Sequence, residues 1–335
     1  MMERQLATIQ RITSLTPIEG ADKIEVASIL GWKVVVKKEE FRVNDLVVFC
    51  EIDSILPDRP EFEFMRDRKF RVKTIKLRKQ ISQGICFPLN ILPASMSLGI
   101  SKDIAEGEDV TDILGIKKFE IEIPAQLRGK VKNGRFTDHV PKTDEMRIQS
   151  KARVLEELRG LPYYITLKVD GTSFTFAKKD GQFDICSRNL VLLETEDNIY
   201  WKMARKYNLF EMPDGYAIQG EIAGPGIQSN RLKLSEPELF VYNVYNINEK
   251  RYLDFDDYNS FVKSIGCKQV EVIEFGDSFN YTLDFLLKIA KGNYDSGHPR
   301  EGIVIRPVTE MYSPTLEGRL SFKVINNDYL LAIGE

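Results

Sequence analysis

The sequence predicts an α+β protein of two domains: a β-rich N-terminal module, then a domain of antiparallel sheets flanked by helices. Three observations carry this. Residues 1–140 are dominated by β-branched and aromatic runs broken by turn formers. From residue 161 onward such runs mix with segments whose apolar residues recur at three- and four-residue spacings. The two kinds do not alternate regularly, which is the pattern of α+β rather than of βαβ units. At 335 residues two domains are the natural division, and 43% hydrophobic with 29% charged residues is the composition of a soluble globular chain.

In chain order, "KIEVASILGWKVVVKKEEF" and "DLVVFCEIDSILP" read as strands separated by turns at Gly31 and at Asn44-Asp45. "GICFPLNILP" and "FEIEIPA" continue that character. Short strands at close spacing predict a small closed barrel, either a generic one or one of the OB type that binds oligonucleotides. The stretch "QLRGKVKNGRFTDHVPKTD", from residue 126, is polar, basic and glycine-bearing, and reads as a linker between domains 1–140 and 141–335. "SKARVLEELRG" follows as a short helix, with Ser150 as N-cap and Gly160 as stop. "FTFAKKDGQFDICS" is a hairpin turning on Asp180-Gly181. "TEDNIYWKMARKYNLF", "FDDYNSFVKSIG" and "NYTLDFLLKIAKG" read as helices. "GYAIQGEIAG", "ELFVYNVYNI", "EGIVIRP" and "RLSFKVI" read as strands.

A net charge of −3 and a pI near 5.8 argue against coating nucleic acid by bulk charge, but leave room for a local basic site. Cys50, Cys86, Cys186 and Cys267 lie far apart, with neither a disulfide framework nor zinc spacing, which suits a reducing compartment. "MMERQLATIQRITSL" lacks a signal-peptide pattern, and no apolar run reaches membrane-spanning length. The expectation is a cytoplasmic protein, or one of another reducing intracellular compartment, with no membrane partner. His139 and His298 are the two histidines, so histidine-based triads and histidine-rich metal sites are poorly served. Lysine and carboxylate chemistry remains.

"YYITLKVDGTSFTF", residues 163–176, places Lys168 within an apolar, strand-like run. Strand alternation puts Asp170 on the same face, and Gly171 ends the strand. One reading is a strand-edge lysine whose stem packs while its ammonium reaches water. The other is a covalent nucleophile beside an acid and a tight turn.

"KVDGTS" at 168–173 resembles the K-x-D-G element of covalent nucleotidyltransferases: ATP-dependent DNA and RNA ligases and capping guanylyltransferases. "SRN" at 187–189, "GEIAG" at 220–224, "LFVYNV" at 239–244, "EGIVI" at 301–305 and "SFKVI" at 321–325 resemble that family's other elements, in order. The resemblance implies that Lys168 attacks the α-phosphorus of ATP and becomes a lysine-adenylate. An ordinary lysine, with pKa about 10.4, is charged at neutral pH, and neighbouring carboxylates hold it so. Asp170, Glu221 and Glu301 therefore imply a cation among them, hydrated Mg²⁺ or Mn²⁺, that lowers the lysine pKa. Lys323 is implied on the α-phosphate. Arg188 is implied on ribose, phosphate or an incoming 5′-phosphate, and Glu221 also on a ribose hydroxyl. Phe240 would stack on adenine opposite Val304, although Tyr242 shares its face of the strand. "TDEMRIQS" at 143–150 resembles a segment preceding this domain in one RNA ligase group, which implies Arg147 on the triphosphate tail; a solvated arginine is the alternative. The chain departs from many relatives at Leu167, a nucleotide-site position where they carry glutamate, and from some at Ser321, where they carry a further lysine.

DNA ligases and capping enzymes of this superfamily place an OB domain after the last motif, whereas twelve residues follow Lys323 here. "GWKVVVKKEEFRVNDLVVFCEIDSILP" instead resembles the leading OB module of the RNA ligase group known from Deinococcus and Naegleria. The implied function is an ATP-dependent RNA ligase joining 3′-hydroxyl and 5′-phosphate ends, foremost nicks in duplexes, with RNA or RNA/DNA ends as partners and a monomeric state. The alternatives are a DNA ligase, a GTP-using capping enzyme or a non-catalytic RNA-binding protein. "RDRKFRVKTIKLRK", residues 66–79, is the nucleic-acid candidate of the N-terminal module. As one strand it shows Arg71 and Lys73 on one face, Lys76 and Arg78 on the other, so a bulge realigns them or the run is merely solvated.

Overall fold

The computed structural model describes residues 4–93, 104–119, 131–132 and 135–334, and the chain divides into two compact units. One unit comprises the described residues up to 119, Ile148–Ala152 and the residues from Leu330. Its strands are β1 (Ala7–Pro17), β2 (Ile24–Ile29), β3 (Trp32–Lys37), β4 (Leu46–Cys50), β5 (Ser54–Ile55), β6 (Thr74–Leu77), β7 (Gln80–Gln83), β8 (Ile85–Phe87) and β9 (Lys117–Lys118).

In β3, Trp32, Val34 and Val36 turn inward while Lys33 and Lys37 face water, as the alternation of the sequence dictates. β1 is long enough to serve two partners. Its first half, Ala7–Arg11, pairs with β4, and its second half pairs with β2 from Ile12 onward. The register shifts between Ile12 and Ser14, a bulge at which the strand bends and carries the sheet β3-β2-β1-β4-β8 around into a nearly closed barrel. Ile9, Ile12, Ile29, Trp32 and Phe49 fill it. The expected strand "FEIEIPA" lies outside the described residues from position 120 onward.

The basic run is not one strand. Residues 66–68 end a 3₁₀ helix, Pro60–Arg68, and Lys69 and Phe70 are both left-handed (φ +51° and +57°), which breaks any extended continuation. β6 and β7 then form a hairpin whose turn residues, Arg78 and Lys79, have φ +48° and +68°. Arg71 lies with its guanidinium carbon 3.4 Å from the Phe119 ring centroid and 4.0 Å from Asp53. Lys73 is half-buried, whereas Lys76, Arg78 and Lys79 are exposed at the hairpin tip.

The other unit comprises Arg153–Tyr329 and the preceding segment through Arg147. Its strands are β10 (Met146–Arg147), β11 (Tyr163–Lys168), β12 (Thr172–Lys179), β13 (Gln182–Cys186), β14 (Tyr216–Ala223), β15 (Glu238–Asn246), β16 (Arg251–Tyr252), β17 (Lys268–Gln269), β18 (Val272–Gly276), β19 (Gly302–Pro307), β20 (Tyr312–Ser313), β21 (Gly318–Arg319) and β22 (Phe322–Ile325). Two larger sheets result, ordered β10-β22-β19-β11-β18 and β13-β12-β14-β15-β16, with β17 added beside β15. The β12–β13 hairpin turns on Asp180-Gly181, both at positive φ, and Asp214 accepts both turn amides. The helix Ile199–Lys206, capped by the Asn198 side chain, packs Tyr200, Trp201 and Met203 against Phe174, Phe176 and Ile218 of the sheet. Helices Phe255–Ser264 and Leu283–Ala290 complete the α+β unit.

Two expectations need correction. The helix after the linker spans Val154–Leu158, so Ser150 does not cap it; its hydroxyl instead donates to Glu51 at 2.6 Å. Gly160, at φ +76°, does follow the helix end. The described part of the supposed linker is packed. Phe136 and Val140 are buried against Ala177, Ala217 and Tyr245, Thr137 donates to Asp184, and the Pro141 carbonyl accepts from Gln219.

Near the start of β15, Glu238 is buried among Lys268 (2.6 Å), Lys206 (3.3 Å) and the Tyr207 hydroxyl. Burial pushes its carboxyl pKa upward, but the hydrogen bonds and cations outweigh that and bring it down to about 2. With the folded value below the unfolded one, its stabilisation is complete above the ordinary carboxylate range and fades as pH falls toward 2. Glu238→Gln is expected to cost about 2–3 kcal/mol at neutral pH, a loss that shrinks between pH 5 and 2 by linkage. Urea denaturation of both proteins across that range measures it, and curves that stay parallel would refute the assignment.

Candidate active site

β11 ends at Lys168, which pairs with Gly302 at the start of β19. That pairing brings Glu301 alongside, its Oε1 2.7 Å from Lys168 Nζ, with the lysine side chain 23% exposed. The chain then turns through Val169, Asp170 and Gly171 into β12. Asp170 is buried and accepts from the Tyr329 hydroxyl at 3.0 Å, with Arg231 Nε 3.4 Å away. β12 pairs with β14 so that Ser173 opposes Glu221, and β14 pairs with β15 so that Glu221 opposes Phe240. Directly opposed residues share a sheet face, so Phe240 lies on the face of Glu221.

Gly171 is there for steric reasons. A Cβ at this position would stand 2.3 Å from the Ile222 carbonyl oxygen and 2.8 Å from Glu221 Cγ. Without it, the turn after the lysine can close on the strand that carries Glu221.

In the first sheet, Thr166 opposes Val304, Val304 opposes Lys323, and Lys323 opposes Arg147 on β10. By two-residue alternation this rung shares the face of Lys168. Lys323 Nζ lies 3.8 Å from Asp144, and the same Asp144 oxygen accepts from Arg188 at 2.8 Å, so two cations converge on one carboxylate. Arg147 is buried. Leu167 opposes Ile303, with its side chain on the face opposite to that of Lys168. Phe240 and Tyr242 both pack around Val169 and Val270, and the Tyr242 hydroxyl reaches Thr143 at 3.1 Å. Ser321 accepts from the buried Arg306, which pairs with Glu145 at 3.0 Å.

The electrostatics follow from crowding. Burial disfavours the Lys168 ammonium, but Glu301 and Glu221 outweigh it and raise its pKa above the ordinary lysine value. Glu221 is pushed up to about 8, chiefly by burial and further by Glu301 and Asp170, against the pull of Lys168 and Arg188. Asp170 is raised as well, by burial and by Glu301. Glu221 and Asp170 are thus pushed toward their neutral forms, first by burial and then by neighbouring acids. Carboxylate oxygens crowded together out of water are hard donors of the kind Mg²⁺ or Mn²⁺ prefers, so the residues fit such an ion. Among the described residues no three acids, histidines or cysteines stand close enough to ligate a metal together directly.

The basic-run residues Arg71, Lys73, Lys76 and Arg78 belong to the other unit, described above. Several residues of this site escaped sequence reasoning. Asp144 lies within a quoted motif, but nothing in its pattern singles it out. Tyr329, Arg231 and Tyr294 lie outside the motifs; the Tyr294 hydroxyl bonds the backbone at Lys168, Asp170 and Glu301.

Comparison with known proteins places these elements. A family model for an OB-fold domain matches residues 6–89, and one for RNA ligase matches residues 161–325. A Naegleria gruberi RNA ligase variant solved with ATP and Mn is 32% identical, with 98% of each chain covered and a TM-score of 0.86. The Naegleria gruberi RNA ligase with PPi is 33% identical over 98% of this chain and 99% of that one, with a TM-score of 0.87. A variant with AMP and Mn matches at the same 33% identity, coverage and TM-score. No curated protein sequence matches the chain.

Proposed function

Because the chain belongs to the RNA ligase family and is an ATP- and divalent-metal-using ligase, we propose that it seals 3′-hydroxyl to 5′-phosphate ends, foremost nicks in duplexes, through a lysine-adenylate on Lys168. The observation that carries this is the half-buried Lys168 amine 2.7 Å from Glu301, with Glu221 and Asp170 completing an acid cluster around it.

In the first step Lys168 Nζ bonds to the α-phosphorus of ATP while the bond to the β-phosphate oxygen breaks and pyrophosphate leaves. A 5′-phosphate oxygen then takes AMP from the lysine. Finally the 3′-hydroxyl attacks the 5′-phosphorus, forming the phosphodiester and releasing AMP. These steps require positioning and charge neutralisation more than a strong base, which agrees with a site built without histidine. Asp170, Glu221 and Glu301 would hold a divalent cation through its water ligands. When bound, that ion supplies positive charge that lowers the lysine's affinity for its proton and offsets charge on the phosphate. Lys323 and Arg188 converge where Asp144 now sits, and we assign them, with Arg147, to the phosphates. Glu221 and Phe240, paired across β14 and β15, take the ribose and the adenine, with Val304 on the other face of the base and Leu167 lending only backbone.

We divide the work between residues 1–140, an OB-like nucleic-acid module, and residues 141–335, the adenylating domain. A monomer in a reducing compartment suits the four free thiols. Among the described residues no helix is long and apolar enough to cross a membrane.

The test is incubation with labelled ATP or GTP and Mg²⁺ or Mn²⁺, then a denaturing gel. Label from ATP is expected; label from GTP alone would overturn the nucleotide assignment. Nicked duplexes with each strand segment exchanged between RNA and DNA then define the partner. In the N-terminal module the hairpin tip carries Lys76 and Arg78, both exposed, and we assign them to the phosphate backbone of the substrate. Replacing both by alanine is expected to slow sealing about tenfold or more at moderate salt, and to flatten its salt dependence, since each phosphate contact adds to the salt slope. Self-adenylation should not change. Unaltered sealing would remove the tip from the interface.

A further inference from the structure

We infer that Tyr294 is the positioning residue of the adenylation centre: a single hydroxyl that fixes the backbone of the nucleophile strand and that of two acids in one frame. The inference rests on the Lys168 reading above. Tyr294 belongs to the loop between helix Leu283–Ala290 and β19, and it is 6% exposed. Its hydroxyl donates to the Lys168 carbonyl at 2.8 Å. It accepts from the Asp170 amide at 3.1 Å and from the Glu301 amide at 3.1 Å. A phenolic oxygen has one proton to give and two lone pairs to offer, so its capacity is filled.

What it joins gives the arrangement its meaning. Lys168 and Asp170 stand on one segment, whereas Glu301 arrives from another more than a hundred residues later. Sheet pairing alone fixes Lys168 against Gly302; beyond it the strands end, and both acids lie in irregular backbone. The Tyr294 hydroxyl supplies the missing tie where the ladder stops. Its own loop is anchored in turn. The Tyr294 amide donates to the His298 carbonyl, and the Gly297 amide returns to the Tyr294 carbonyl. The buried Asn326 side chain donates to the Gly292 and Arg300 carbonyls at either end of the loop, and its amide donates to the Glu301 carbonyl. The phenol is therefore held from behind and reaches forward into the backbone of the site. Its hydroxyl has no capacity left for a phosphate, so its effect passes through the residues it holds.

The test compares Tyr294→Phe with wild type and with Tyr258→Phe. Tyr258 is a buried tyrosine whose hydroxyl donates to the Val241 carbonyl at 2.7 Å, so its variant loses one buried hydroxyl bond elsewhere, against three in Tyr294→Phe. Amide hydrogen exchange, read by NMR on metal-free protein, should quicken about tenfold or more at Asp170 and Glu301 in Tyr294→Phe while the β19 amides stay protected. The single-turnover rate of AMP adduct formation, normalised to titrated active sites, should fall about 10- to 100-fold. Half-saturation by ATP should move less than about threefold, the split expected when orientation rather than binding is lost. Tyr258→Phe should lose less in melting temperature and keep the wild-type rate, which shows that loss of a buried tyrosine hydroxyl does not by itself slow adenylation. A Tyr294→Phe rate per active site equal to wild type, or unchanged exchange at the two amides, overturns the inference. So does rapid exchange of those amides in the wild-type protein, a result independent of how the variant folds. Absence of any adduct in wild type would instead sink the Lys168 reading itself.

Discussion

Lys168→Ala is expected to abolish the AMP–protein adduct, with a fall of on the order of 10⁴-fold or more in adenylation, if Lys168 is the covalent nucleophile proposed above. Lys168→Arg is expected to give the same result, because a guanidinium does not shed its proton in proteins and offers no lone pair for phosphorus. The reason lies in what surrounds the amine. Glu301 at 2.7 Å and Glu221 hold it as ammonium even though burial opposes the charge. Left to these acids alone, Lys168 is a stabilised cation and a poor nucleophile. Chelation of divalent metal from the wild-type protein is therefore expected to suppress the adduct as completely as loss of the lysine, and restoring the metal rescues the wild type only. The measurement is intact-protein mass after incubation with ATP and metal, with peptide mapping of the AMP-bearing residue. A map that places AMP on any residue other than Lys168, or an adduct surviving in Lys168→Ala, would remove the mechanism. ATP binding is expected to persist in Lys168→Ala, since Lys323, Arg188 and Arg147 are untouched; a lost ATP affinity would make Lys168 a binding residue instead.

The legible and illegible parts of this chain divide along a physical line. β3 was readable because a strand with one face inward must alternate, and Trp32-Lys33-Val34 does. The Asp180-Gly181 hairpin was readable because two left-handed residues in a row favour that dipeptide. The basic run misled, since Lys69-Phe70 and Arg78-Lys79 adopt left-handed backbone with side chains that carry no signal for it. The supposed linker misled for the opposite reason: Phe136 and Val140, two apolar residues in a polar stretch, suffice to seat it against the sheet. Within the site, the juxtaposition of Lys168 and Glu301 was legible because both stand in motifs quoted from the sequence, and the β11–β19 pairing brings them to 2.7 Å. Tyr294 and Tyr329 were not, because their hydroxyls meet Lys168 and Asp170 from more than a hundred residues away, and any local pattern would accept them equally as core.

Gly171→Ala is expected to cost about 2–4 kcal/mol of stability and at least about 10²-fold in adenylation rate. The added methyl would meet main chain, the Ile222 carbonyl oxygen at 2.3 Å and its carbon at 3.0 Å, rather than a side chain that can swing aside. Relief requires the start of β12 to move off β14, where Thr172 opposes Ile222 and Ser173 opposes Glu221. Any such movement carries Glu221, whose Cγ would otherwise be 2.8 Å from the new methyl, away from Lys168. The glycine of the K-x-D-G element is then explained by closeness of approach, not by an unusual dihedral angle. Gly226→Ala separates the two costs. Gly226 has φ +79° and nothing within 4 Å of its would-be Cβ, so alanine there is expected to lose about 1 kcal/mol to backbone strain and nothing in rate. Denaturant melts and active-site-normalised adenylation of the two variants decide it. If Gly171→Ala behaves like Gly226→Ala, stable to within about 1 kcal/mol and fully active, the close packing of that turn on β14 is not what sets Glu221 against the lysine.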